Sequence, residues 1–134
     1  IDLRNKPNIL RLGGLEVSSI QKVFNKKIKI RNFQSKVSVP GQSKIHYSPG
    51  IPVRLNVKKI RSNEAYILLK KRGVTKSNYY FLSKKGNLKE AAKNLYSTLR
   101  KIKKDKFSSI AVSKIPNKGL GKTINDRLIR ASKF

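Results

Sequence analysis

The sequence predicts an α/β domain with a mostly parallel sheet over residues 52–134. Three observations carry that expectation. Short apolar runs that suit strands alternate with stretches of helical periodicity. Turn-forming residues separate them. Toward the C-terminal end the order strand, helix, strand, helix implies parallel pairing through right-handed crossovers.

In chain order, Ile1-Asp2-Leu3 reads as the end of a strand, and Gly13-Gly14 breaks any strand running through Ile9–Leu12. Apolar residues at Val17, Ile20, Val23 and Phe24 predict a short helix over Glu16–Phe24. The sheet partners of residues 1–30 are expected to lie upstream, so this segment is not expected to close on itself. Residues 31–51 hold Pro40-Gly41 and Ser48-Pro49-Gly50 and no sustained period, and read as a linker or functional loop. Pro52–Val57 alternates apolar and polar residues, as a half-buried strand does. The runs Tyr66–Leu69 and Tyr79–Leu82 suit strands buried on both faces. Asn87 is placed to cap a helix whose stripe is Leu88, Ala91, Ala92, Leu95, Tyr96, Leu99 and Ile102. Ser109–Val112 reads as a strand. A glycine-containing loop, 116–121, leads into a last helix with Ile124, Leu128, Ile129 and Ala131 turned inward.

The chain has 134 residues, starts with Ile and contains no Met, so it is expected to be a fragment or processed piece. Without Cys it can form no disulfide, Cys-ligated zinc site or Cys nucleophile. No apolar run reaches the ~20 residues of a membrane-spanning helix, no signal peptide is visible, and the expected location is cytoplasmic. The balance of 33 Lys and Arg against 6 Asp and Glu gives a net charge of +27. Such a charge either attracts a polyanion or reflects a lysine-rich codon usage spread over a solvated surface. The basic residues form no discrete block.

Pro116–Thr123 nearly fits the phosphate-loop pattern G-x-x-x-x-G-K-[ST] between a strand and a helix. Its first glycine is replaced by Pro116, which has no N–H and cannot take positive φ. The competing reading is a tight strand-to-helix turn that needs Gly119 and Gly121 for backbone reasons alone. The lone histidine, His46, is either a surface loop residue or, with Tyr47, a polar and aromatic pair offered to a ligand. The six carboxylates show no pairing at helical spacing, which argues against paired-carboxylate acid–base chemistry. Asp126 beside Arg127 reads as a structural pair, and Tyr79-Tyr80-Phe81 reads as core packing against base stacking.

Several segments together resemble the long form of L-threonylcarbamoyladenylate synthase. Ile9-Leu-Arg-Leu-Gly13 is similar to its I-L-R-P-G turn, and Ile1-Asp2-Leu3 to the tail of the strand before it. Val39-Pro-Gly-Gln-Ser-Lys-Ile-His46-Tyr47-Ser-Pro49 resembles S-P-G-M-x-x-x-H-Y-A-P. Ala91–Arg100 resembles A-A-x-N-L-F-A-A-L-R, and Pro116–Leu128 resembles P-x-x-G-L-G-x-A-I-N-D-R-L. The order and spacing of these matches extend along the whole chain. Leu12 departs from the family's Pro and Gln42 from its Met.

The resemblance implies the tail of a YrdC-like catalytic domain over residues 1–30, a linker or lid over 31–51, and a small Rossmann-like, three-layer accessory domain over 52–134. It implies ATP contacts from Arg11, Tyr47 and His46, and no catalytic or metal-ligating residue in this fragment. The reaction it implies takes L-threonine, bicarbonate and ATP, with Mg2+ on the phosphates, to threonylcarbamoyl-AMP and pyrophosphate. The product would serve tRNA threonylcarbamoyl-transfer proteins, with a weak tRNA contact through the basic surface. The alternatives from other classes are a basic nucleic-acid-binding module without enzymatic activity and a phosphate-loop hydrolase centred on Lys122.

Overall fold

A computed structural model describes residues 1–4, 6–31 and 48–133. The first part is small. Strand β1 (Asn8–Ile9) pairs in parallel with β2 (Lys29–Ile30), and helix α1 (Val17–Phe24) joins them. Ile9, Leu12 and Ile28 are buried together, with Val17, Ile20 and Phe24 packed against them. Residues 1–31 therefore do form a small cluster. Val23, expected on the inner face of α1, is 84% exposed. Asn25 ends the helix at φ 50°, in the left-handed region that asparagine tolerates.

The larger part is a four-stranded, all-parallel sheet of β3 (Val53–Arg54), β4 (Glu64–Leu68), β5 (Tyr79–Phe81) and β6 (Ser109–Val112), in the order β3-β6-β4-β5. Helix α2 (Leu88–Lys104) connects β5 to β6, and α3 (Leu120–Ala131) follows β6. The α/β class and the parallel sheet are as the sequence predicts. Val53, Ala65, Ile67, Ile110 and Val112 share one face of the sheet. They bury themselves against Ala91, Leu95, Leu99 and Ile102 of α2 and Ile124, Leu128 and Ala131 of α3. Both long helices thus lie on the same side.

The opposite face is crossed by the connection from β3 to β4. Tyr66, whose ring lies on that face, donates its hydroxyl to the Val57 carbonyl at 2.8 Å, and the Arg61 N–H donates to the Glu64 carboxylate at 2.8 Å. Strand β3 is shorter than the alternation predicts because Asn56 turns the chain at φ 56°. Strand β5 lies at the sheet edge, so its three residues are half-buried and not enclosed on both faces. Asn87 caps α2 as expected, its side chain accepting from the N–H groups of Lys89 and Glu90 at 2.9 and 3.0 Å. The Ser83 hydroxyl, 1% exposed, donates to Glu90 at 2.6 Å and accepts from the Gly86 and Asn87 N–H groups, which ties the turn to the first turn of the helix. No helix among the described residues is long and apolar enough to cross a membrane.

Candidate functional site

Arg11 lies in the turn that leaves β1. Leu10 and Leu12 on either side are buried, so the alternation turns Arg11 to the exposed surface. Leu12 fills part of the small core, which is the use this chain makes of the position where the resembling sequences carry Pro. The turn is anchored from a distance. The Thr123 hydroxyl, on the first turn of α3, donates to the Gly13 carbonyl at 3.0 Å. Glu16 reaches the same helix end: one of its carboxylate oxygens lies 2.8 Å from the point a Cβ on Gly119 would occupy. A negative group beside the first turn of a helix complements the positive end of its dipole. The two parts enclose a crevice of about 100 Å3 between Leu12, Glu16 and Val17 on one side and Gly119, Lys122 and Thr123 on the other.

This arrangement decides between the two readings of 116–123. A Cβ on Gly121 would sit 1.8 Å from the Pro116 carbonyl oxygen, and Gly119 holds φ 51°. Both glycines are there for backbone reasons. In a phosphate loop the threonine hydroxyl serves magnesium and the helix end cradles phosphate. Here Thr123 is 3% exposed and bonded to Gly13, and Glu16 occupies the approach to the helix end. The loop is a docking joint, a role for Glu16 and Thr123 that sequence reasoning missed. The partners are more than 100 positions apart, and no local pattern signals such a pairing.

His46 and Tyr47 lie outside the described residues. The chain is described again from Ser48, whose hydroxyl accepts from the Gly50 N–H at 3.2 Å, and Ile51 packs against the main core. Among the described residues no three His, Cys, Asp or Glu side chains gather as a metal site.

The remaining candidates are structural. Asp126 pairs with Arg130: Arg130 Nε donates to it at 3.1 Å, and the side chains of Arg130 and Asp126 are 3% and 6% exposed. One helical turn separates Asp126 from Arg130, whereas sequence neighbours on a helix point apart. Arg127 instead lies over the Tyr96 ring, 5.2 Å from its centre, and donates to the Ala92 carbonyl at 3.4 Å. Tyr80 packs edge-on against Phe107 and donates its hydroxyl to Asp105 at 2.5 Å. Burial, and then that bond, push its ionisation up beyond the usual tyrosine range. Tyr79 packs edge-on against Tyr66, so the aromatic run is used in packing.

Glu64 is fully buried at the start of β4. The Arg54 guanidinium grips it with bonds of 2.9 and 2.6 Å, and the Arg61 N–H and the Ser109 hydroxyl also donate to it. The Arg54 bond, aided by the other two donors, holds its carboxyl down at about 2 against the opposing effect of burial. With four donors on two oxygens it is a satisfied structural anion and not a general base.

A family model described as threonylcarbamoyl-AMP synthase, C-terminal domain, matches residues 15–133. Among solved structures, the chain is similar to P. abyssi Sua5 complexed with L-threonine, at 25% identity and a TM-score of 0.80 over 98% of this chain. It is also similar in fold to a variant of P. abyssi Sua5 with a histidine and the tyrosine that follows it both changed to alanine, at 23% identity and a TM-score of 0.67 over 92% of this chain. The chain spans 44% and 40% of the lengths of those two structures. No curated protein matches it.

Proposed function

The chain belongs to the threonylcarbamoyl-AMP synthase C-terminal domain family, and on that premise we propose that it is the docking and lid portion of an enzyme that makes threonylcarbamoyl-AMP. In this reading residues 1–30 end the catalytic domain, 31–51 form the lid, and 52–134 are the accessory domain. The enzyme converts L-threonine, bicarbonate and ATP to threonylcarbamoyl-AMP and pyrophosphate, for transfer to tRNA in the cytoplasm.

The observation that carries the proposal is the joint between the Arg11 turn and α3. Arg11, an exposed residue, sits on a turn whose backbone is held by the accessory part through Gly13 and Thr123. A guanidinium in a fixed place can meet phosphate oxygens in a forked, charge-assisted geometry at little cost in ordering. Held this way, the accessory domain sets where Arg11 stands and where the lid begins and ends. His46 and Tyr47 on that lid are proposed to close over ATP. The adjacent histidine and tyrosine replaced in the P. abyssi Sua5 variant are the same pair of residue types. A lid of this kind shields a mixed acyl-phosphate anhydride from water.

The test is threonylcarbamoyl-AMP formation by the enzyme carrying this chain. Charge-assisted bonds contribute about 1.5–3 kcal/mol, so Arg11→Ala should lower kcat/KM for ATP at least tenfold with an unchanged melting temperature. Tyr47→Phe should cost several-fold and Tyr47→Ala considerably more. Wild-type activity in both alanine variants would overturn the proposal. Absence of synthase activity, together with salt-steep nucleic-acid binding, would favour the basic binding module.

A further inference from the structure

A second crevice, of about 340 Å3, opens at the C-terminal ends of β3 and β6. The topology makes this place special. β3 and β6 are neighbours in the sheet. The connection after β3 leaves across the face that carries Tyr66 and Glu64, while the connection after β6 leaves to α3 on the helical face. Adjacent parallel strands whose exits part to opposite faces open a gap between them, and in open α/β sheets ligands bind in that gap.

Its lining is chemically specific. Val112 and Leu128 form an apolar floor. Asn56, Ser113, Asn117 and Asn125 supply neutral donors and acceptors, and Lys114 the one cation. The Asn125 amide nitrogen is used on the Ile115 carbonyl at 3.2 Å and on the Asn117 side-chain oxygen at 3.4 Å. That leaves one amide oxygen on Asn125 and one amide nitrogen on Asn117 with no hydrogen bond among the described residues. Asn56 is held at φ 56°, a backbone conformation costly for most side chains.

We propose that this crevice binds an adenine nucleoside monophosphate, at a site separate from the ATP contacts inferred at Arg11. An amide acceptor on Asn125 and an amide donor on Asn117, both lining the crevice, are the two group types that the N6 amino group and N7 of adenine require. The apolar floor suits the flat base. One ammonium matches one phosphate monoester, whereas a triphosphate would demand more cations. The volume lies in the range of small-molecule sites, about 300–1,000 Å3. The inference stands on the crevice alone and does not depend on the synthase reading.

The experiment is titration of the 15N-labelled chain with AMP, adenosine, GMP and inorganic phosphate. AMP should saturate, with amide shifts confined to residues 55–57, 112–117 and 125–129. Adenosine and GMP should bind at least tenfold more weakly, the first for want of phosphate and the second because guanine presents only acceptors at O6 and N7. Asn125 also supports the backbone, so the informative variants are Lys114→Ala and Asn56→Gly. Glycine takes φ 56° without strain. Each should weaken AMP binding at least several-fold with the melting temperature unchanged. No saturation by AMP at millimolar concentration, equal binding of GMP, the same shifts with phosphate alone, or undiminished binding in both variants would overturn the proposal.

Discussion

The two parts of the chain are held together by different means. Residues 48–133 enclose a core of fourteen buried apolar residues, whereas residues 1–31 enclose a cluster of three. Three side chains cannot offset the backbone entropy of some thirty residues, at about 1–2 kcal/mol each. The smaller part therefore relies on its contacts with α3, the Thr123 bond to Gly13 and the Glu16 carboxylate at Gly119. Order in one region is lent by the other, and the lending runs in one direction.

The largest expected effect tests that asymmetry. Leu95 is fully buried between α2 and the sheet, and Leu95→Ala should destabilise the chain by about 2–5 kcal/mol. Ile9→Ala, equally a buried residue by exposure, should leave the main denaturation transition in place and only loosen residues 1–31. Equal losses in the main transition would erase the distinction.

Acid should act next, through a buried carboxylate of the larger part. The Glu64 carboxyl is held at about 2, below its ordinary value of 4.5. A lowered value means that ionised Glu64 favours the folded state. Its contribution is complete above about pH 4.5 and is lost as pH falls toward 2. Arg54→Ala should remove that dependence and cost about 2–4 kcal/mol, because a buried carboxylate is left without its counter-ion. Denaturation midpoints between pH 2 and 6 read both effects, and an unaltered pH profile in the variant would assign the acid response elsewhere.

The smallest effect sharpens the comparison most. Thr123→Val keeps the shape and removes one hydrogen bond, worth about 0.5–1.5 kcal/mol. Hydrogen exchange should speed up in residues 8–30 while 53–131 stay protected. Unchanged exchange in both would show that the joint rests on Glu16 and packing alone.

Much of the larger part was legible because its elements obey local rules. Ser109–Val112 forms a strand where the apolar run lies, and Asn87 caps α2 where a polar residue precedes the stripe. What escaped depends on partners distant in sequence. Nothing around Glu64 announces Arg54 or Ser109, so β4 begins two residues earlier than its apolar run. Ile129 fits the inward stripe of α3 but is 38% exposed at the rim of the crevice, because the strand exits part there and leave it uncovered. At the candidate site Arg11 is found exposed on an anchored turn, while its relation to His46 and Tyr47 lies outside the described residues. Glu16 and Thr123 were invisible because a joint between chain segments has no periodicity.

All six carboxylates are engaged close at hand. Besides Glu64, Glu90, Asp105 and Asp126, Asp2 pairs with Arg4 and Glu16 accepts from the Ser18 hydroxyl. Against 33 Lys and Arg, no carboxylate remains uncommitted to moderate the cationic exterior. Repulsion among those cations works against compactness, and its relief falls to small anions in the surrounding medium. For this chain the ionic atmosphere is in effect part of the fold, and dilution of salt withdraws a stabilising component that no residue replaces.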